Sequence, residues 1–351
     1  MKLRKILMIG LFLTFSSFTA KSQNETGNYT RAQVLKYPSI SAALSVVTAT
    51  GVGFIDSVDI ADVDVPWWLP AIISTQHLPM YQLDTRLGMR YSLAEVGFLT
   101  AHYATKNSPA VTLLPFNMYL KTAWYSTYDM YKITRSRAKP GVYPDEWRSY
   151  GVKELSLASF KWENISHPLF YIPIGLSLWS AYDDVKKSEY SIWKKDKAYI
   201  DKKEVPMGQA IPMVVGINML NYIATAIGEE ALYRGVIYEE LKVSFGSRWA
   251  KLIDFFLFPA IHVPMDIAAG RDTDYILEQF INRGVSTLLF DFAYDKGGLP
   301  LSVALHTWFN MISYTSRWFR DGGVPDTSLE NDNGLSVSIM PPLIVTVSIK
   351  L

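Results

Sequence analysis

Residues 206–227, PMGQAIPMVVGINMLNYIATAI, contain no Asp, Glu, Lys or Arg, and GEEALYRG follows at once at 228–235. A helix starting at Met207 rises about 30 Å by residue 227, roughly the hydrocarbon thickness of a bilayer. The segment therefore predicts a membrane-spanning helix, with two glutamates and an arginine where the crossing ends. On a helix, Glu230 and Arg234 are four residues and about 40° apart, so they can pair. Glu229 lies about 140° from Arg234 and faces elsewhere. A carboxylate left out of such a pair in apolar surroundings is a candidate general base. The competing reading ends the membrane helix at Gly228. The three charges are then a solvated turn, with Glu239 and Glu240 on the same footing.

Two downstream stretches bear on that choice. The chain has five histidines, His77, His102, His167, His262 and His306. Two of them fall in apolar runs expected to be helical. His262 follows FFLFPAI, with Phe258 one turn earlier, and His306 follows LSVAL, with Asn310 one turn later. A lone histidine on an apolar helix is commonly a satisfied core residue. Two histidines, an asparagine and a glutamate pair on three successive apolar helices are best satisfied by facing one another, because polar groups without partners there are costly.

In this order and spacing, the EExxxR of Glu229, Glu230 and Arg234, the FxxxH of Phe258 and His262, and the HxxxN of His306 and Asn310 resemble the CPBP (Abi) family. These are CAAX-processing and bacteriocin-processing intramembrane endopeptidases related to the Rce1 type of prenyl-protein protease. The resemblance covers about 206–314. It implies an all-α fold, a polytopic transmembrane helical bundle of the CPBP protease type. It also implies that Glu229 is the general base for a water, that His262 holds and polarises that water, and that His306 and Asn310 donate to the oxyanion. Glu230 and Arg234 would be structural, and Phe258 would be packing. No metal or other cofactor is expected. The alternative is zinc held by Glu229, His262 and His306, although the sequence has no HExxH. A second functional alternative is a non-catalytic membrane scaffold or bacteriocin-immunity-type protein that retains the same core.

Composition agrees with a membrane protein that has polar connections. The 351 residues are 49% hydrophobic and 19% charged, yet mean hydropathy is only +0.08. A net charge of +1 points to no nucleic acid, and the absence of cysteine excludes disulfides, thiolate metal sites and cysteine nucleophiles. The expected partners are the lipid bilayer and a peptide or membrane-protein substrate. Residues 1–22 read as an export signal, with a basic start, an apolar centre and small residues before Gln23. The expected location is a membrane of the bacterial cell envelope, with the inner membrane favoured.

Four segments follow: the signal at 1–22, an N-terminal membrane-associated region at 23–165, a protease core at 166–320 and a tail at 321–351. Two polar loops, 131–161 and 183–204, each carry seven Lys or Arg. The short apolar stretch between them reads as either re-entrant or a break in the positive-inside pattern. Aromatic clusters at 67–68, 124–131 and 308–318 read as interface belts. Asp291 and Asp295 read as solvated or capping, Arg283 as lining the cavity or, preferably, snorkelling to headgroups, and His102 and His167 as structural.

Overall fold

The structure is a computed structural model that describes residues 28–57, 77–105, 109–144, 147–187, 196–200, 203–268, 271–321, 335–338 and 346–349. The export signal, Trp67 and Trp68, and most of the tail lie outside the described residues. Helices dominate. In chain order they are α1 (Arg31–Ser57), α2 (Leu78–Leu83), α3 (Thr85–Ala104), α4 (Pro109–Arg135), α5 (Val152–Ala158), α6 (Trp162–Ile165) and α7 (Pro168–Lys187). Then come α8 (Met207–Leu232), a π-helical turn (Tyr233–Tyr238), α9 (Glu239–Phe245), α10 (Ser247–Ala260), α11 (Val263–Ala268) and α12 (Thr273–Asp321). The fold departs from all-α in two antiparallel hairpins. Lys197–Ile200 (β1) pairs with Lys203–Pro206 (β2), and Leu335–Ser338 (β3) pairs with Thr346–Ile349 (β4).

Two helices organise the packing, and α8 lies against both. α4 packs on α1, α3 and α8, while α12 packs on α7, α8 and α10. Past Leu232 the α8 helix continues through the π turn into α9, so Met207–Phe245 is one rod. Among the described residues it is the one helix long and apolar enough to cross a membrane. The apolar part of α7, Pro168–Trp179, is shorter than a span. The prediction that the helix ends at Gly228 is not what the chain does. Gly228, Glu229, Glu230, Ala231, Leu232, Tyr233 and Arg234 are all buried. Glu239 is buried beside Arg135, and Glu240 pairs with Arg31 and accepts from Tyr131, so neither is a freely solvated charge.

α4 and α8 approach closely because of what faces α4. A Cβ at Gly228 would meet Lys121 Cβ at 2.6 Å and its backbone at 3.0 Å, and one at Gly235 would meet the Tyr128 ring at 2.6 Å. The contact carries polar side chains along its length. Asn117 Nδ2 donates to Asn221 Oδ1 at 3.0 Å and also to Thr225. Farther along, Arg135 Nη1 donates to Glu239 Oε2 at 3.3 Å. In apolar surroundings such pairs fix which helix faces meet, because a slipped register strands them.

The aromatic cluster at 124–131 belongs to this contact rather than to a membrane interface. Trp124, Tyr125, Tyr128 and Tyr131 are all buried, and Tyr125, Tyr128 and Tyr131 share one core with Ala226, Ala231 and Val236. α4 is covered by three helices, so its aromatic face meets protein. The run of residues 275–314 becomes a single element broken at Gly298, whose φ of 68° is left-handed and whose Cβ would meet the Tyr150 hydroxyl. That break turns the His306-bearing half of α12 back toward α8.

Gly228→Ala is expected to push α4 off α8 and cost about 1–3 kcal/mol, the usual range for overpacking. Gly216→Ala, where a Cβ meets nothing within 4 Å, is expected to be neutral or stabilising by up to about 1 kcal/mol from helix propensity. Thermal unfolding of the two variants in the same detergent checks the difference.

Candidate active site

α8 places Glu229 and Glu230 next to each other, and the π turn that follows carries Arg234. Single π turns inside longer helices recur at functional sites. Glu230 and Arg234 pair as the spacing predicts, with Arg234 Nη1 3.2 Å from Glu230 Oε1 and neither side chain exposed. The guanidinium reaches further than the sequence indicates. Its Nε donates to Asp291 Oδ1 at 3.1 Å, its Nη2 donates to the Thr287 carbonyl at 3.1 Å, and Asp254 Oδ2 lies 3.8 Å away. The rings of Phe258 and Phe290 flank it at 5.2 and 5.4 Å. One arginine thus joins α8, α10 and α12.

His306 comes from the second half of α12 and reaches both glutamates. Its Nδ1 donates to Glu230 Oε1 at 2.6 Å, since a carboxylate only accepts, and its Nε2 lies 3.6 Å from Glu229 Oε2. The ring also stacks on Phe290, with centroids 4.6 Å apart and planes at 15°. Glu230, which accepts from Ser302 as well, therefore orients an imidazole in addition to pairing with Arg234. This is the support that ligand and catalytic histidines commonly receive from a second carboxylate.

Glu229 is held from a different direction. Lys121 Nζ of α4 donates to Glu229 Oε1 at 2.7 Å, with side-chain exposures of only 3% and 8%. No motif in the sequence reading signals this lysine, which sits in a tyrosine-rich helix more than a hundred residues away.

His262 does not lie inside a helix as expected. α10 ends at Ala260 and His262 occupies the turn before α11. The His262 N–H donates to the Pro259 carbonyl three residues back at 2.9 Å, and its Nδ1–H donates to the Phe258 carbonyl at 2.8 Å. That leaves Nε2 as the nitrogen free to act. His262 is near enough to feel the charges of Glu229, Lys121 and Arg283, and it is half-buried. Asn310 lies one turn beyond His306 on α12 and is also half-buried. Glu229 and His306 thus sit deep, while His262 and Asn310 are partly exposed. Phe258 packs edge-on to Tyr233, with centroids 4.7 Å apart, in a buried cluster with Trp124 and Leu232.

Two expectations change. Asp291 is fully buried against Arg234 rather than solvated, because α12 presents it to the interior of the bundle. Asp295 is exposed, in keeping with the sequence reading, and is bonded to Tyr238, Ser247, Lys242 and Lys251. Arg283 pairs with Asp266 of α11 instead of reaching outward. His102 stacks on Phe116, and His167 accepts from the Leu169 amide, both in keeping with structural roles.

Zinc fits this arrangement poorly. An ammonium already occupies Glu229 Oε1, His306 Nδ1 is committed to Glu230, and a divalent cation beside Lys121 would be repelled. Among the described residues no three His, Asp or Glu side chains are grouped as a metal ligand set.

Residues 212–312 match the family model described as type II CAAX prenyl endopeptidase Rce1-like. No curated protein and no solved structure matches the chain. The matched segment holds Glu229, Glu230, Arg234, Phe258, His262, His306 and Asn310, and it leaves out Lys121.

Replacing Arg234 by Met removes the cation facing Glu230, Asp254 and Asp291 while leaving all three buried. The expected cost is about 3–5 kcal/mol, the range for breaking a buried ion pair from one side. Arg234→Met should therefore fail to accumulate as a monodisperse species in detergent, a result read by size-exclusion chromatography and thermal unfolding.

Proposed function

We propose that the protein is an intramembrane endopeptidase. In this reading it hydrolyses a peptide or membrane-tethered protein segment with a water activated by Glu229. The carrying observation is the meeting of Glu229 and His306 deep in the bundle, Oε2 to Nε2 at 3.6 Å, with Glu230 gripping the other imidazole nitrogen. A separation of that size is too long for a direct hydrogen bond, and one water lying beside the pair can touch both atoms. The family match over 212–312 supports the same reaction class.

Glu229 Oε2 takes a proton from the water as its oxygen attacks the carbonyl carbon of the scissile amide. The C=O electrons move to oxygen, and the oxyanion is met by the Asn310 side-chain amide and by His306 Nε2–H, a donor in the form of the ring that carries a proton on both nitrogens. As the intermediate collapses, the C–N bond breaks and Glu229 returns the proton to the departing amine. The products are one carboxylate and one amine, with no covalent intermediate on the protein. His262 stands at the rim, where its Nε2 can hold the water. The mechanism is read as metal-free, supported by the ammonium on Glu229 and by the poor fit of the donors to zinc.

The bundle is read as lying in a bilayer with several helices facing lipid. Outward apolar side chains recur at helical spacing on α3 (Met89, Leu93, Val96), α7 (Ile172, Leu176, Trp179), α10 (Trp249, Leu252, Phe256) and α12 (Leu277, Ile281, Val285). Stripes of this kind on four helices would be unfavourable against water and are natural against acyl chains.

Full-length protein in detergent or nanodiscs is expected to cut members of a peptide library. Glu229→Gln and His306→Ala should each lower cleavage at least about 100-fold, and a zinc chelator should leave the wild-type rate unchanged. Undiminished cutting by Glu229→Gln removes this mechanism, and loss of activity to the chelator restores the metal alternative. A cellular role that survives both substitutions would favour a scaffold.

A further inference from the structure

We propose that Lys121 is the positioning residue for Glu229. In this role it holds Oε1 so that the carboxylate stays ionised inside the bundle and only Oε2 is left for the water. The inference rests on the proteolytic reading of the site and adds to it a residue from α4, outside the matched segment.

Three observations carry it. The first is the contact itself, 2.7 Å between Lys121 Nζ and Glu229 Oε1 with both side chains buried. The second is how the lysine is delivered. α4 touches α8 at Gly228, where the Lys121 backbone and Cβ fill the space a side chain would need. The lysine therefore runs along α8 to the next residue, Glu229. Its ammonium also lies 3.6 Å from the centre of the Trp124 ring, one turn along α4, a second contact that restrains the amine. The third is the distribution of charge on α8. Arg234 is committed to Glu230, Asp254 and Asp291, so α8 itself supplies no cation for Glu229. The groups facing Glu229 are Lys121 from α4, His306 from α12 and His262 after α10. Of these, Lys121 makes the shortest contact.

A carboxylate with no partner in apolar surroundings takes up a proton and ceases to be a base. A carboxylate paired at one oxygen keeps its charge and loses its rotational freedom. Because Oε1 is held, Oε2 is presented to His306 Nε2, and the oxygen that meets water is chosen by the lysine. Such a group acts through the base and touches neither substrate nor water.

Two measurements on the full-length protein in detergent test this. The first is a thermal double-mutant cycle of Lys121→Met, Glu229→Gln and the pair. Each single change is expected to lower the melting temperature, and the pair by clearly less than the sum, because each change alone strands a buried polar partner. Additive losses overturn the proposal. The second is steady-state cleavage of a library peptide that Glu229→Gln does not cut. Lys121→Met is expected to lower kcat about 100-fold with KM changed by less than about 2-fold, while Lys121→Arg recovers at least about a tenth of the wild-type kcat. A folded Lys121→Met with wild-type kcat, or one changed in KM alone, overturns the proposal. Lys121→Gln replaces Met under the same expectations if Met does not yield folded protein. If the wild type cuts no peptide, the proteolytic reading fails, and the cycle alone then decides whether Lys121 holds Glu229.

Discussion

A buried guanidinium facing three carboxylates is the contact on which the arrangement depends. Arg234 meets Glu230, Asp254 and Asp291 from three helices, with none of the four side chains exposed. Burying so much charge is stable only while the cation and the carboxylates stay together. That requirement fixes how α8, α10 and α12 meet. From it follows the placement of His306, since Glu230 serves Arg234 on one side and the imidazole on the other. Phe290 completes the restraint by stacking on the ring, and its other contacts sit in the core between α7 and α12.

The second constraint is the seam between α4 and α8. Asn117 meets Asn221 and Thr225, Lys121 meets Glu229, Gly235 admits Tyr128, and Arg135 meets Glu239. These contacts share one register, and a shift by one residue would break all of them. The seam therefore brings the N-terminal helices into the site. The candidate site is built where two packing systems meet, one centred on α4 and one on α12, with α8 common to both.

Much of the α12 side was legible in the sequence. The spacing of Glu230 and Arg234 implied their pairing, and DKGG marked the break that becomes Gly298. The apolar runs around His262 and His306 marked segments that do lie beside Glu229, although His262 occupies a turn in which its own ring takes the Phe258 carbonyl. The aromatic cluster at 124–131 has the composition of an interface belt and is core instead. Tyr and Trp suit a membrane surface and a polar-lined core equally well, and one helix considered alone does not say which neighbours cover it. Asp291 departs from expectation for the same reason, since a carboxylate near a helix end is commonly solvated.

By itself, the sequence determined what depends on helical periodicity and on local turn chemistry. That covers the long apolar rod, the Glu230–Arg234 pair, the separate facing of Glu229, the turn at Gly297 and Gly298, and the family-like order of the motifs. Only tertiary structure decided which distant groups complete those motifs: Lys121 on Glu229, Ser302 and His306 on Glu230, and Asp254 and Asp291 on Arg234. The physical reason is that a side chain's position around its own helix is set by local geometry. Its partner across an interface is set by how whole helices satisfy all their buried polar groups at once.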